Sequence, residues 1–103
     1  MSTPASFQSE ALIATQSGAK YVGQLAKHWG HKFEVTTDGD VTMIPFSDTA
    51  KCLLTPGADG VSVRIVTQDR ARVERLQDVV FEHISRFAFR EELVPPLWVL
   101  KSL

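Results

Sequence analysis

The sequence has little of the chemistry that many catalytic and membrane proteins require. Its single cysteine, Cys52, excludes an intramolecular disulfide and any zinc or iron–sulfur site built from several cysteines. No apolar run approaches the roughly 18 residues that a transmembrane helix needs, and no glycine-rich phosphate loop is present. The net charge of -1 gives no support to nucleic-acid binding. These absences favour a soluble globular protein.

The composition is that of such a protein, with 44% hydrophobic and 22% charged residues. A length of 103 residues fits a single domain over 1–103, and we expect its ordered core to span about residues 7–101. The N-terminus lacks the basic and apolar regions of a secretory signal. A lone cysteine also fits a reducing compartment. We therefore expect a cytoplasmic protein that does not enter the membrane.

Hydrophobic periodicity predicts the order strand, helix, four strands, helix and one short last strand. The strands are predicted over residues 7–13, 33–37, 41–46, 50–55, 61–65 and 97–101. The first helix is predicted over 18–30. Ser17 is its predicted N-cap, and Gly30 is predicted to end it in a left-handed backbone conformation. The second is predicted to run from a cap at Thr67 or Asp69 to about residue 88.

Two amphipathic helices can bury one apolar face of a mostly antiparallel sheet. The predicted fold is therefore an α+β two-layer sandwich with both helices on one face of the sheet. On the second helix, Phe89 falls on the side away from the sheet, where we expect the C-terminal tail to bury it.

The other face of the predicted sheet also carries apolar side chains. One strand phase holds Cys52, Leu54, Val61, Val63 and Ile65, and the opposite phase holds Ile44, Phe46, Leu53 and Val66. An apolar sheet face without a helix on it is typical of an interaction surface. We therefore expect a homodimer formed through this open face.

KHWGHKF, residues 27–33, gives the first helix a cationic end. Residues 11–33 contain no acidic side chain. Cations at a helix C-terminus interact favourably with its dipole, by roughly 0.3–1 kcal/mol each, which explains the lysines without any ligand. Helix stability does not require histidine there, however. Lys27, His28, His31 and Lys32 are therefore candidates for binding an anionic ligand or an acidic partner surface.

RFAFREE, residues 86–92, supplies the second candidate group. Arg86 and Arg90 lie four residues apart near the end of the second helix. They are either solvated surface residues or part of an anion clamp together with the lysines of the first helix.

A metal site or a small enzyme that uses His28 and His31 is the alternative. Histidines three apart can share a metal, but zinc takes three or four protein ligands, and the remaining candidates are His83 and Cys52. For His83, the commoner outcome is a half-buried side chain whose hydrogen bond is satisfied. For Cys52, it is an unreactive thiol in the core. No nucleophile can be placed beside a base and an orienting group. We therefore assign no catalytic residue, no resident metal and no cofactor.

YVGQLAKHWGHKF and RFAFREEL resemble the signature segments of a bacterial family called domain of unknown function 2218. The matching positions are Tyr21, Leu25, Lys27, His28, Trp29, His31, Lys32, Phe33, Arg86, Phe87, Phe89, Arg90 and Glu91. The resemblance covers about residues 11–93. It carries over no catalytic residue, because none is assigned in the family. Relatives often carry cysteine at the position of Ala26, so a thiol-dependent role there would be missing here.

The resemblance implies a connection with iron. Similar proteins are found near iron-acquisition genes, and similar domains occur joined to siderophore-interacting flavin reductases. This implies a cytoplasmic accessory or binding domain that takes part in handling siderophores, with a ferric siderophore or a siderophore reductase as its partner. The sequence leaves open which ligand is bound and whether KHWGHKF and RFAFREE meet in space.

Overall fold

The computed structural model of the chain describes residues 6–103 and shows a six-stranded antiparallel sheet with two α-helices. In chain order the elements are β1 (Phe7–Ala14), α1 (Gly18–Trp29), β2 (Thr36–Asp38), β3 (Val41–Ser47), β4 (Ala50–Pro56), β5 (Gly60–Thr67), α2 (Val73–Phe87) and β6 (Val99–Ser102). The predicted α+β class and the predicted order of elements are confirmed. The predicted domain also includes residues 1–5, which lie outside the described residues. No helix within 6–103 has the length and apolar character to cross a bilayer.

The strands lie side by side in the order β2-β3-β4-β5-β1-β6. Strands β2 to β5 follow one another as hairpins, whereas β1 lies between β5 and β6. Gly39, in the turn between β2 and β3, has a φ of 60°, as the predicted hairpin requires. Strands β1 and β5 approach so closely beside Gly60 that a β-carbon there would clash with the carbonyl oxygen of Ile13.

The hydrophobic core lies between the two helices and one face of the sheet. In the ladder, Ile13 pairs with Val61 and Cys52 pairs with Ile65, so these side chains all point to the helices. The largest fully buried side chains are Ile13, Leu25, Ile44, Leu54, Ile65, Ile84, Val61, Val63, Val73, Val80, Thr67 and Cys52. Burial raises the pKa of the Cys52 thiol, which keeps it protonated. The predicted unreactive core cysteine is confirmed.

Two residues assigned to the open face from their strand phase lie against the core instead. Ile44 is fully buried because it pairs with Cys52, and directly opposed side chains share one face of an antiparallel pair. Phe46 packs against the core beyond a break in register between Pro45 and Ser47. A proline cannot donate to the ladder, so an irregularity at this point is expected. The prediction was wrong for both residues.

Helix α1 has different ends from those predicted. Ser17 precedes the helix, but its side chain makes no capping hydrogen bond, and its backbone N–H donates to Thr15 Oγ1 instead. Gly30 is right-handed, with a φ of -61°, because the chain continues into one more hydrogen-bonded turn. In that turn the backbone N–H of Phe33 donates to the carbonyl oxygen of Trp29 at 2.7 Å. The extra turn delays β2, which begins at Thr36.

Helix α2 ends within one residue of the predicted position, and Asp69, one of the two predicted caps, caps a short turn just before it. The Asp69 carboxylate accepts a hydrogen bond from the backbone N–H of Ala71 at 3.0 Å, and a short 3₁₀ turn leads from this cap into α2. The helix ends at Phe87, Ala88 takes the next buried position, and Phe89 is left 79% exposed in the turn that follows. The prediction that the tail buries Phe89 was therefore wrong. The tail adds the predicted edge strand, β6, beside β1.

Candidate functional site

The four cationic candidates lie together at the end of α1. Lys27 and His28 are in the last helical turn, and His31 and Lys32 are in the turn that follows. All four side chains are exposed. We call these four residues the cationic patch. Its position at a helix C-terminus is favourable for positive charge, because the carbonyl groups there have no helical partners.

The cationic patch keeps its charge available to solvent. The two ion pairs within residues 6–103 join Arg64 to Glu10 and Arg70 to Glu74, each with a nitrogen–oxygen distance of 2.9 Å. Neither pair includes a patch residue. Lys32 Nζ lies 5.5 Å from the ring centroid of Phe33, a cation–π contact that positions the lysine without neutralising it.

Trp29 connects the cationic patch to the core. Its side chain is only 5% exposed. Its ring centroid lies 5.1 Å from that of Phe46 and 4.8 Å from that of His83. The predicted core position of Trp29 is confirmed. Because this packing holds the indole between a strand and α2, the residues on both sides of Trp29 are carried on a fixed segment of backbone.

His28 lies at the contact between the two helices. Its ring centroid is 5.7 Å from that of His83 and 6.0 Å from that of Phe87. We call His28, Trp29, His83 and Phe87 the histidine–aromatic cluster. KHWGHKF and RFAFREE therefore meet in space, through His28 and Phe87.

His83 is the half-buried member of this cluster, as predicted. Its Nδ1 lies 2.7 Å from the carbonyl oxygen of Val79, one turn earlier in α2. A carbonyl oxygen only accepts, so this hydrogen bond is donated by the protonated Nδ1. The hydrogen bond fixes the orientation of the ring.

The longer signature segment YVGQLAKHWGHKF meets RFAFREE a second time, at Tyr21 and Glu91. The Tyr21 hydroxyl donates to Glu91 Oε2 at 2.6 Å, and the Thr15 hydroxyl donates to Glu91 Oε1 at 3.0 Å. This Tyr21–Glu91 contact joins the start of α1 and the end of β1 to the turn that follows α2. The hydrogen bond to Glu91 raises the pKa of Tyr21, and burial and the charge of the carboxylate add to the shift.

Sequence reasoning did not find the Tyr21–Glu91 contact. Its partners are 70 residues apart, and no spacing rule relates a tyrosine in one helix to a glutamate beyond another. The one available signal was that both residues match the family segments.

The two candidate arginines line two open concavities near the end of α2, which share Ser85. Arg86 lines an open concavity of about 390 Å³ with Phe81 and Ser85. Arg90 lines another, of about 410 Å³, and its guanidinium carbon lies 5.5 Å from the ring centroid of Phe89. No residue of the cationic patch lines either concavity. The concavities that Arg86 and Arg90 line are therefore distinct from the cationic patch, and an anion clamp that combines them with the patch stays a prediction.

The two histidines of the alternative hypothesis lie in different surroundings. His28 has His83 beside it, and His31 lies in the turn beyond the helix end. Within residues 6–103, no three histidine, cysteine, aspartate or glutamate side chains form a group that could hold a metal ion.

Comparison with known proteins places the chain in a family. A family model described as an uncharacterized protein conserved in bacteria (DUF2218) matches residues 10–96, which include both signature segments. No curated protein matches the chain. The NMR structure of PA4090 from Pseudomonas aeruginosa is similar, with 34% sequence identity and a TM-score of 0.72 over 92% of this chain and 95% of that one. This chain therefore belongs to the bacterial DUF2218 family.

Proposed function

We propose that this chain is a non-catalytic cytoplasmic binding domain that recognises an anionic ligand through its cationic patch. One observation carries the proposal. Four exposed cationic or titratable side chains, none of them in the ion pairs of residues 6–103, lie on a backbone segment fixed by Trp29. Lysine and histidine side chains both donate hydrogen bonds, and donors that carry charge bind anionic oxygens most strongly.

The ligand class that we propose is the anionic ferric siderophore complex. Such a complex surrounds iron with deprotonated oxygen atoms, and a ferric tris-catecholate keeps a net negative charge. The lysine and imidazole donors of the patch suit such a ligand. The choice of siderophores over other anions rests on the family resemblance, not on the geometry. An acidic surface on a siderophore reductase is the second binding partner that we propose for the cationic patch.

The test is a calorimetric titration of the untagged protein with a ferric catecholate and, separately, with an uncharged ferric hydroxamate. We expect the catecholate complex to bind more tightly and its affinity to fall with rising salt. The variant H31A/K32A should bind about tenfold more weakly or worse, because it loses two hydrogen-bond donors, one of them a lysine ammonium group. Its melting temperature should hardly change, since both side chains are exposed.

The matched control is K51A/K101A, which removes two exposed lysines from the opposite face of the sheet. It should bind like the unmodified protein. Equal losses in the two double variants would show attraction to net charge alone and would overturn the patch as a site. Failure of every ferric complex to bind would overturn the proposed ligand class.

We also propose that the open face of the sheet pairs with a second copy of the chain. Leu12 is 58% exposed and Val99 is 63% exposed, and the ladder places both on the same face as Leu53. A twofold axis would bring this apolar surface against its own copy. Sedimentation equilibrium at high micromolar concentration should show a dimer, and Leu12→Glu should shift it to monomer. A monomer before substitution would remove the proposal.

A further inference from the structure

The two imidazoles at the contact between α1 and α2 have the spacing of ligands that share one metal ion. A metal bound to nitrogen at about 2.0–2.1 Å lies about 3.2 Å from the centre of the ring. Two rings on the same ion therefore have centroids about 4.5 Å apart at a right angle and about 6.4 Å apart when opposite. The centroids of His28 and His83 are 5.7 Å apart, between these limits.

His83 is also held in the tautomer that a metal ligand needs. Its Nδ1–H donates to the carbonyl oxygen of Val79 at 2.7 Å, so in the neutral ring Nε2 carries the lone pair. A histidine that binds metal through one ring nitrogen commonly donates the other N–H to a carbonyl or carboxylate, which orients the ring and raises its basicity. Because the acceptor here belongs to the same helix, the ring is set before any ion arrives.

The side chains around the two histidines pack against them and still leave His28 open to solvent. Trp29 packs against His83 with centroids 4.8 Å apart, and Phe87 lies 6.0 Å from His28. His28 itself is exposed, so an ion can reach the pair from solvent without opening the core.

We infer that His28 and His83 form a two-histidine site for a divalent transition-metal ion. Imidazole suits copper, nickel and zinc, and Cu²⁺ binds most tightly in this series. Since no three-residue metal group is present within 6–103, the other coordination positions would be filled by water or by donor atoms of a small molecule. The site shares His28 with the cationic patch, but it differs from the proposed siderophore site because it needs His83, which is not in the patch, and needs no anion.

The experiment is a Cu²⁺ titration of the untagged protein carrying Trp98→Phe. The chain has two tryptophans, so this change leaves Trp29, which touches His83, as the only indole. Bound Cu²⁺ should quench its fluorescence, and electron paramagnetic resonance should show two nitrogen ligands. His28→Ala and His83→Ala should each weaken binding about tenfold or more.

His31→Ala is the matched control, because His31 is the remaining histidine of the chain and is also exposed. It should bind Cu²⁺ like the parent. If His31→Ala weakens binding as much as His28→Ala, or if His28→Ala changes neither the quenching nor the nitrogen signal, the site is refuted. His28 is exposed, so this variant remains decisive even if His83→Ala lowers stability. Metal binding without siderophore binding would separate this site from the proposed function, and the reverse result would refute the metal site alone.

Discussion

The signature segments meet at two places, and the polar groups at the two contacts differ in how many of them are hydrogen-bonded within the protein. At the Tyr21–Glu91 contact, both carboxylate oxygens of Glu91 accept hydrogen bonds from hydroxyl groups of the same chain. At the histidine–aromatic cluster, His83 has one ring nitrogen engaged by Val79 and His28 is exposed to solvent. The polar groups of the first contact hold distant parts of the chain together, whereas the second contact leaves polar groups available at the surface.

This difference divides the residues of the signature segments into two kinds. Tyr21 and Glu91 join distant parts of the chain through a hydrogen bond. The lysines and histidines at the end of α1 are exposed to solvent, and they lie beside an indole that already fixes the backbone. We therefore expect substitutions at the first contact to change stability, and substitutions in the patch to change binding.

Trp29→Ala should have the largest effect, because it removes a buried indole from between Phe46 and His83. We expect a loss of about 3–5 kcal/mol in the free energy of unfolding. The measurement is equilibrium urea denaturation. Lys27→Ala, which changes an exposed residue in the same helical turn, is the control and should stay within about 0.5 kcal/mol of the unmodified protein. Similar losses in the two variants would contradict the division between core and patch.

Tyr21→Phe should come next, because it removes the hydroxyl that donates to Glu91 and leaves one carboxylate oxygen without that partner. We expect the melting temperature to fall by several degrees. Glu91→Ala should cause a similar fall. In the double variant the two losses should not add, because each single change already breaks the shared hydrogen bond. Full additivity would mean that the contact contributes little.

The stability that Tyr21 contributes should be lost at alkaline pH. Its pKa is raised above the ordinary value of 10.0, chiefly by the hydrogen bond to Glu91, so the folded state favours the neutral phenol. The contribution is therefore fully present below about pH 10 and disappears as the pH rises through the higher pKa of the folded protein. The difference in melting temperature between the unmodified protein and Tyr21→Phe should shrink over that window.

A titration of tyrosine absorbance can check the same point directly. The chain has a single tyrosine, so the folded protein should give one transition, above that of the urea-unfolded chain. Coincident transitions would contradict the short hydrogen bond between Tyr21 and Glu91.

Phe89→Ser should have the smallest effect on stability. Phe89 is 79% exposed, so the free energy of unfolding should change by no more than about 0.5 kcal/mol. A loss of more than about 1 kcal/mol in urea denaturation would indicate that the tail covers this ring after all.

The fold was predictable because most of it follows from local patterns. Alternation identified the strands, the stripe through Val22, Leu25 and Trp29 identified α1, and Asp38-Gly39-Asp40 identified a hairpin. The error at the open face occurred where nonlocal pairing decides the outcome. Ile44 is in the core because of its partner on β4, and the phase of one strand alone cannot show that partner.

The candidate site was predictable only in part, for a related reason. The cationic character of the segment around Trp29 is a local property of the sequence, and the structure leaves the four side chains of the cationic patch exposed, as such a surface requires. The pairing of His28 with His83 is set by how α1 packs against α2. The pairing of Tyr21 with Glu91 is set by where the chain turns after α2. Neither is encoded in spacing along the chain.

The most direct measurement compares Tyr21→Phe and H31A/K32A for both melting temperature and binding of a ferric catecholate at constant salt. We expect Tyr21→Phe to melt several degrees lower while keeping its affinity at temperatures where it is folded. We expect H31A/K32A to melt like the unmodified protein while losing about tenfold or more in affinity. If Tyr21→Phe loses the affinity and H31A/K32A loses the stability, the division of roles between the two contacts is wrong.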